Sequence, residues 1–465
     1  MPVRDRRGLA LARALSFDGA MRTSRPSSLP RRRSVLAAAA LAPTAGGLAA
    51  CGQGADPEED GMPDLQAELP RAEPGPAAGA GGLAVPFTAR MLGAADRSAT
   101  NAVLSPLSAQ LALTMAGLGA AGDTRAQMEE VLGGSIDELA ENANTLATVL
   151  AAIGEEEREA DDPDAPAPAA ASLAHSTWLQ EDMPVEEPFL EGLATYFGSG
   201  VYTVDFTDDA AREEGRERIN GWVEDATAGL IEDLVPKDAL DEDTRLVLVN
   251  ALHLTAAWPV PLDVGPGTFT LDSGEELDLD MLHGTTGCWY EDELCRATAL
   301  ATYGDDLSLA VIQPVAGIGA VLDAWADAAA DPSAGLAALL AGLEESEAMA
   351  ELTMPGFDIL GEAELTAMLQ QLGMVDAFDA ASADFSAITR EAELVISAVL
   401  QKATITVDDT GMEAAAATAA VATLTSAPMI EHELVLDAPF LYVAYETSTL
   451  APLVLGWIGD PTAQG

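Results

Sequence analysis

Side chains able to do covalent or metal chemistry are few in this sequence and poorly spaced for it. His175, His253, His283 and His432 lie far apart, and none stands at metal-ligand spacing from another. Glu431-His432-Glu433 reads as a solvated charged turn rather than a ligand set. HExxH, Walker A, GxSxG and GxGxxG patterns are absent. Carboxylates are so abundant that no pair of them marks an acid–base couple. Neither an enzyme nor a cofactor or metal is expected. The unusual stretch is one that carries no reactive group. Seventeen residues pass without a charge between Glu413 and Glu431, in a chain that is 21% charged. The run is alanine-rich, which favours a helix, yet it follows a segment in which Ile405 and Val407 alternate with Thr404 and Thr406 as a strand would. Leu424, Thr425, Ser426, Ala427 and Pro428 stand near its end.

The chain has 465 residues, and its apolar fraction of 49% can supply a substantial core. Its formal charge is −54. The first 33 residues hold nine Arg and two Asp, and taking that +7 from −54 leaves −61 for the rest. Such a surface repels phosphates and anionic membranes, so no nucleic acid partner is expected. Residues 1–50 read as an export signal: a basic start with Arg31 to Arg33 before Ser34, an Ala/Leu stretch too short to span a bilayer, and a small-residue end. The arginine group resembles a twin-arginine signal, and Leu48 to Cys51 resembles a lipobox, which implies lipidation at Cys51. A chance cysteine after an ordinary secretory signal is the alternative, and Met21 is an alternative start. The expected location is extracellular or on the cell surface, with a lipid anchor on the outer face of the cytoplasmic membrane. Residues 51–82, rich in Gly, Pro, Ala and acids, read as a flexible tether, and 154–172 as a surface loop. Cys288 and Cys295 would face each other across a two-residue turn at Glu291-Asp292, either as a disulfide or as two free thiols.

The elements that must position the chargeless segment do not alternate as in a doubly wound fold. Early stretches read as helices: 105–120, with Ser105 as cap and Pro106 at the first helical position, then 123–133 and 216–235. Later stretches read as strands: 244–254, 307–315, 350–359, a fifteen-residue run over 394–408, 440–447 and 451–460. The expectation is an α+β protein whose sheets draw on distant parts of the chain.

Several ordered stretches resemble the serpin family. They are "NAVLSPLSAQLALTMAGLGAAGDTRAQMEEVLG" (101–133), "INGWVEDATAGLIEDLVP" (219–236), "TRLVLVNALHLTAAW" (244–258), "LTMPGFDI" (352–359), "LGMVDAF" (372–378), "ADFSAI" (383–388), "GMEAAAATA" (411–419) and "APFLYVAYETSTLAPLVLGWIGDP" (438–461). The resemblance implies one domain over 83–462, with three β-sheets, about nine helices and an exposed reactive-centre loop. It also implies a monomeric inhibitor that a target serine protease attacks as a substrate. The cut loop then enters the main sheet as a new strand, a known example of strand addition, and drags the acyl-enzyme with it. The hinge falls on Asp409, Gly411, Met412, Glu413, Ala414, Ala415, Ala416 and Ala417. The resemblance places the reactive bond sixteen residues after Asp409, at Thr425–Ser426, with Leu424–Thr425 as the alternative. Ser105, Ser108 and Asn250 match the polar cluster that holds the central strands in register, and Trp258 matches the point where the loop begins to insert. Gln401 stands where the family usually has histidine; it can donate and accept but cannot titrate.

The residues suit that use on their own terms. Strand side chains alternate faces, and the even positions Met412, Ala414, Ala416, Thr418, Ala420, Ala422 and Leu424 are uncharged, whereas Asp409 and Glu413 fall on the odd face. Met412 departs from the small residue usual there and is expected to slow insertion. Thr425 suits elastase-like or subtilisin-like pockets and Leu424 a chymotrypsin-like one. A non-inhibitory serpin acting as a binding or scaffold lipoprotein is the competing expectation.

Overall fold

A computed structural model describes residues 62–159, 165–227, 229, 231, 233–397, 399–412 and 429–463. Three sheets occur among the described residues, with strands numbered along the chain. The main sheet runs β11 (Phe357–Glu364), β12 (Leu400–Val407), β13 (Gly411–Met412), β4 (Leu246–Ala257), β2 (Ala170–Gln180) and β3 (Val201–Val204). The second runs β14 (His432–Val435), β10 (Ala350–Pro355), β6 (Glu276–Thr286) and β5 (Asp263–Thr270). The third runs β1 (Asn101–Leu104), β16 (Ala451–Ile458), β15 (Phe440–Glu446), β9 (Leu307–Pro314), β8 (Cys295–Ala301) and β7 (Tyr290–Glu291). The helices are α1 (Ala84–Ala94), α2 (Pro106–Gly117), α3 (Gly122–Leu132), α4 (Ile136–Ala152), α5 (Glu155–Glu159), α6 (Glu187–Gly192), α7 (Asp209–Ala226), α8 (Ile318–Asp327), α9 (Gly335–Glu345) and α10 (Thr366–Leu372). The sheets do draw on distant parts of the chain, as expected of an α+β fold.

Burial follows from the sequence pattern. In β12 the residues Gln401, Ala403, Ile405 and Val407 are buried, while Lys402, Thr404 and Thr406 on the other face are half-buried. By contrast, β15 and β16 are buried along their whole length, as near-continuous apolar runs require. On one side the rings of Phe357, Phe440 and Tyr442 pack at centroid separations of 6.0 and 5.2 Å. On the other, Tyr445 and Trp457 join the core formed by α1, α8 and α9. Every residue of α2 is buried, which marks an interior helix rather than an amphipathic one. Its Gln110 amide donates to the carbonyls of Leu83 and Leu132, both at 2.9 Å, so a helix-end carbonyl of α3 is satisfied from inside the core.

Several expectations need correction. The stretch 216–235 is not one helix, because α7 ends at Ala226. Gly229 then turns with φ 87°, and Ile231, Leu234 and Val235 fold back onto Ile219 and Val223. The Asn220 side chain fixes that return by bonding both the N–H and the carbonyl of Val235, at 2.8 and 3.0 Å. Residues 350–359 are two strands in different sheets, split at Gly356. The expected fifteen-residue strand shortens to β12; Leu394 and Ile396 are buried without strand pairing. The surface loop 154–172 contains α5 and the first residues of β2. Ser105 precedes α2 but does not cap it through its side chain. The cysteine hairpin has another register, Tyr290 opposite Ala297 and Glu291 opposite Arg296, so its turn lies beyond Glu291-Asp292. Cys288 and Cys295 are free thiols. Residues 62–82 are not a free tether: backbone and side-chain bonds hold them to the domain, from Leu65 on Val201 to Gly81 on Thr449.

Candidate functional site

The site is the seam between β4 and β12 in the middle of the main sheet. Low on this seam the two strands meet directly, through a parallel bridge between Leu248 and Val399. At its upper end β13 comes between them: Gly411 pairs with Ala257, and Met412 pairs with both Ala256 and Val407. Two hinge residues, Gly411 and Met412, which lead into the chargeless segment, therefore already lie in the sheet. Met412 is completely buried and belongs to the main core, as an inward-facing even position should.

A tight turn makes this possible. The Asp408 carboxylate accepts from the N–H and hydroxyl of Thr410, both at 2.7 Å, and from the Gly411 N–H at 3.0 Å. The Asp408 N–H in turn donates to the Gly411 carbonyl at 3.0 Å. This side-chain turn reverses the chain within four residues, so β13 leaves β12 and runs back beside it. Trp258, buried at the end of β4, holds the turn from the opposite strand. Its indole N–H donates to the Asp408 carbonyl at 2.9 Å and its backbone N–H to Thr410 at 2.8 Å. The Leu262 N–H adds a bond to the Asp409 carbonyl at 2.8 Å.

Deeper in the seam lies a buried polar cluster. Gln401 bonds twice to the backbone of Ser105: its carbonyl accepts from the Ser105 N–H at 3.0 Å, and its amide donates to the Ser105 carbonyl at 2.7 Å. The Ser105 and Ser108 hydroxyls bond at 2.8 Å. All three residues are buried, so each polar atom left unpaired there would be costly. Asn250 and Gln401 each stand two residues beyond the Leu248–Val399 bridge. Asn250 pairs with His175 of β2. The structure thus brings Ser105, Ser108 and Gln401 together, and places Trp258, Asp409, Gly411 and Met412 at the upper end. Glu413, Ala414 to Ala417, Leu424, Thr425, Ser426 and Cys51 lie outside the described residues. The chain resumes at exposed Met429 and Ile430, and the backbone N–H groups of Glu431 and His432 bond to the Met349 carbonyl. From there β14 enters the second sheet beside β10.

The sequence did not single out two residues. Asp408 makes the hinge turn, and the run Asp-Asp-Thr-Gly is a legible turn signal. His175 stands edge-on to Phe197, with ring centroids 5.3 Å apart. Burial pushes its pKa down to about 4, against a weak opposing bond to the Phe197 carbonyl. No motif marked it.

A three-sheet α+β domain, in which the chain lies at the centre of the main sheet at Met412 and next joins a strand at His432 in the second, has the architecture of the serpin class. The chain belongs to the serpin family: a family model described as Serpin (serine protease inhibitor) matches residues 84–461. Alpha-1-antiproteinase 2 of Equus caballus is 30% identical over 370 residues, 78% of this chain and 82% of that protein. Plasminogen activator inhibitor 1 of Neovison vison is 29% identical over 377 residues, 78% of this chain and 87% of that protein. Among solved structures, the thermophilic serpin tengpin in its native state superposes with a TM-score of 0.69 at 23% identity, covering 84% of this chain and 97% of its own. A cleaved serpin 42Da superposes with a TM-score of 0.65 at 26% identity, covering 82% and 98%. Members of this family are generally protease inhibitors.

Proposed function

We propose that the chain is an extracytoplasmic, monomeric inhibitor of serine proteases, lipid-anchored through Cys51, that acts as a suicide substrate. The protease serine hydroxyl attacks the Thr425 carbonyl. The bond from that carbon to the Ser426 nitrogen breaks, and the proton passes to the new amine of Ser426. Thr425 is then held as an ester on the protease. Water would complete turnover, but the freed loop zips between β4 and β12 first and carries the ester-linked protease away from its own catalytic geometry.

One observation carries this reading: Gly411 and Met412 already sit between the two strands, with Met412 fully buried. Met412 was expected to slow insertion. Since it is inside the sheet before any cut, the step it would slow is already complete, which weighs against the non-inhibitory alternative. Trypsin-like targets do not fit, since no basic residue lies between 414 and 430. The test mixes the purified chain with elastase-, subtilisin- and chymotrypsin-like proteases and resolves the products on denaturing gels. A stable adduct is expected, together with a released C-terminal peptide that begins at Ser426 by mass spectrometry. A peptide beginning at Thr425 moves the bond by one residue. Cleavage without an adduct for every protease contradicts the inhibitory reading.

A further inference from the structure

Residues 62–79 lie before the stretch that the family model matches, and their composition gives no packing signal. They are nonetheless docked along the body at three successive places, with a fourth just beyond them at Gly81. First, Leu65 makes a two-way backbone bridge to Val201 on the outer edge strand β3, at 2.9 and 2.7 Å. Beside it the Asp64 carboxylate accepts from the Thr203 N–H at 2.7 Å and from Arg218 of α7 at 3.3 Å. The same Arg218 guanidinium lies over the rings of Trp178 and Tyr202, 5.2 and 5.4 Å from their centroids, so Asp64 completes a stack that fastens α7 to β2 and β3. Second, Arg71 donates to the Asn144 side chain of α4 at 2.6 Å and to the Tyr196 carbonyl at 3.3 Å. Asn144 returns a bond to the Ala72 carbonyl at 2.9 Å, and the Ala72 N–H reaches Thr195 at 2.8 Å. Third, the Gly75 N–H donates to the Thr145 hydroxyl at 2.9 Å. Last, the Gly81 N–H reaches the Thr449 carbonyl at 3.2 Å, in the turn between β15 and β16 of the third sheet.

The body is shaped to this segment. A β-carbon on Gly200 would stand 2.3 Å from the Leu65 carbonyl, so only glycine there admits the bridge. Residues 62 to 68 alternate exposed and half-buried, as a strand laid on an edge does. Pro63, Pro70, Pro74 and Pro76 restrict the segment before it docks, which lowers the entropy lost on ordering it. Leu69 stays exposed; the attachment is polar and local rather than a hydrophobic seal.

We propose that residues 62–79 act as an intramolecular brace on the main sheet, occupying a strand-accepting edge at β3 and restraining the β2–β3 side and α7. This inference rests on the loop-insertion reading. Admitting a strand between β4 and β12 moves the two halves of the sheet apart by about one strand spacing, ~4.8 Å. The brace begins on the half that moves, at Leu65 and Asp64, and the chain just beyond its other end is fixed to the third sheet at Gly81. Its contacts cannot all survive such a slide. Holding them therefore lengthens the lifetime of the uncut state, and insertion must release one end.

The test uses the full chain with Asp64→Ala/Arg71→Ala, and separately Leu65→Pro, which removes the donor to Val201. Two quantities are measured for each: the lifetime of the uncut form at a fixed temperature before it converts to a urea-resistant form, and the thermal midpoint of the loop-cut form. Both variants are expected to shorten the uncut lifetime about tenfold, equal to ~1.4 kcal/mol of barrier, and to leave the cut form's midpoint unchanged. A synthetic peptide of residues 62–79 added to the double variant is expected to restore the lifetime. Should a variant fold poorly, Gly200→Ala tests the same contact from the body side and is expected to shorten the lifetime likewise. An unchanged lifetime, or equal losses in the cut and uncut forms, overturns the brace while a parent chain that gains stability on cutting keeps the inhibitory reading intact. A parent that gains nothing on cutting overturns both.

Discussion

The two ends of the β4–β12 seam are built in opposite ways. At the upper end an Asp408-centred turn and Trp258 hold the strands apart, with Met412 filling the space between them. Lower down, Leu248 and Val399 pair directly, and Gln401 grips the backbone of Ser105 through two buried bonds. One end is wedged open by an apolar side chain and the other is closed by polar groups that must be fully paired. A strand entering from the top thus meets no initial barrier of separation, and the resistance lies where the polar cluster has to let go. The difference sets a direction on insertion, from the wedge toward the cluster.

The largest expected effect comes from blocking passage along the seam. Ala416→Arg puts a charge on the inward face, and burying it unpaired costs several kcal/mol. The loop should still be cut while adduct yield on denaturing gels falls to near zero; parental yield would refute the assignment of the even face. Next is the closed end. Gln401→Ala leaves the N–H of Ser105 unpaired in the core and takes one of two donors from its carbonyl, which keeps the Ala109 N–H at 3.2 Å. The loss is about 2–4 kcal/mol for one orphaned buried donor and one further bond. Urea unfolding of the uncut chain should show it. The open end is softer. Asp408→Ala removes the acceptor for three donors in a half-buried turn and should cost about 1–2 kcal/mol, with faster proteolysis next to Met412 as its signature. A loss larger than that of Gln401→Ala would reverse the proposed contrast.

The smallest effect concerns pH at the middle of the sheet. Burial holds the His175 pKa down to about 4, below the ordinary value near 6.5. The imidazole is neutral in both folded and unfolded chains above that ordinary value. As pH falls below it the unfolded chain takes up the proton first, so stability declines with falling pH down to about 4. In His175→Gln that contribution is absent. Between pH 6.5 and 5.5 the parent should lose about 1 kcal/mol more than the variant, measured by urea unfolding at each pH. Parallel pH profiles would show that the ring is not held neutral.

How legible these regions were depends on what kind of pattern their residues make. β12 was legible because its Ile405, Val407, Thr404 and Thr406 alternate, and burial follows that alternation. The turn into β13 was legible at Gly411 and missed at Asp408, whose role lies in three hydrogen bonds rather than in hydropathy. The even-face assignment found Met412 but not its place within the sheet before any cut, since insertion depth depends on the turn geometry and on Trp258. Residues 62–79 were read as a tether because their Gly, Pro, Ala and acids give no apolar periodicity. Their attachment is made by Asp64, Arg71 and backbone groups, which leave no periodic trace. The helix read over 216–235 failed where Ile231 and Val235 keep an apolar spacing but pack by folding back past Gly229.

The central claim, that the cut loop becomes the strand between β4 and β12, carries a defined register. Met412 pairs with Ala256 and with Val407, both antiparallel. Extending either pairing by eight residues brings Ala420 beside Leu248 on one side and Val399 on the other, the two residues that now bridge each other. The same register sets Thr418 between Asn250 and Gln401. The direct measurement is a crystal structure of the chain cut once in its loop. The account predicts a new strand continuing β13 with Ala420 parting Leu248 from Val399, and even-numbered side chains facing the core. A cut chain in which Leu248 and Val399 still bridge, with the freed segment outside the sheet, would contradict it.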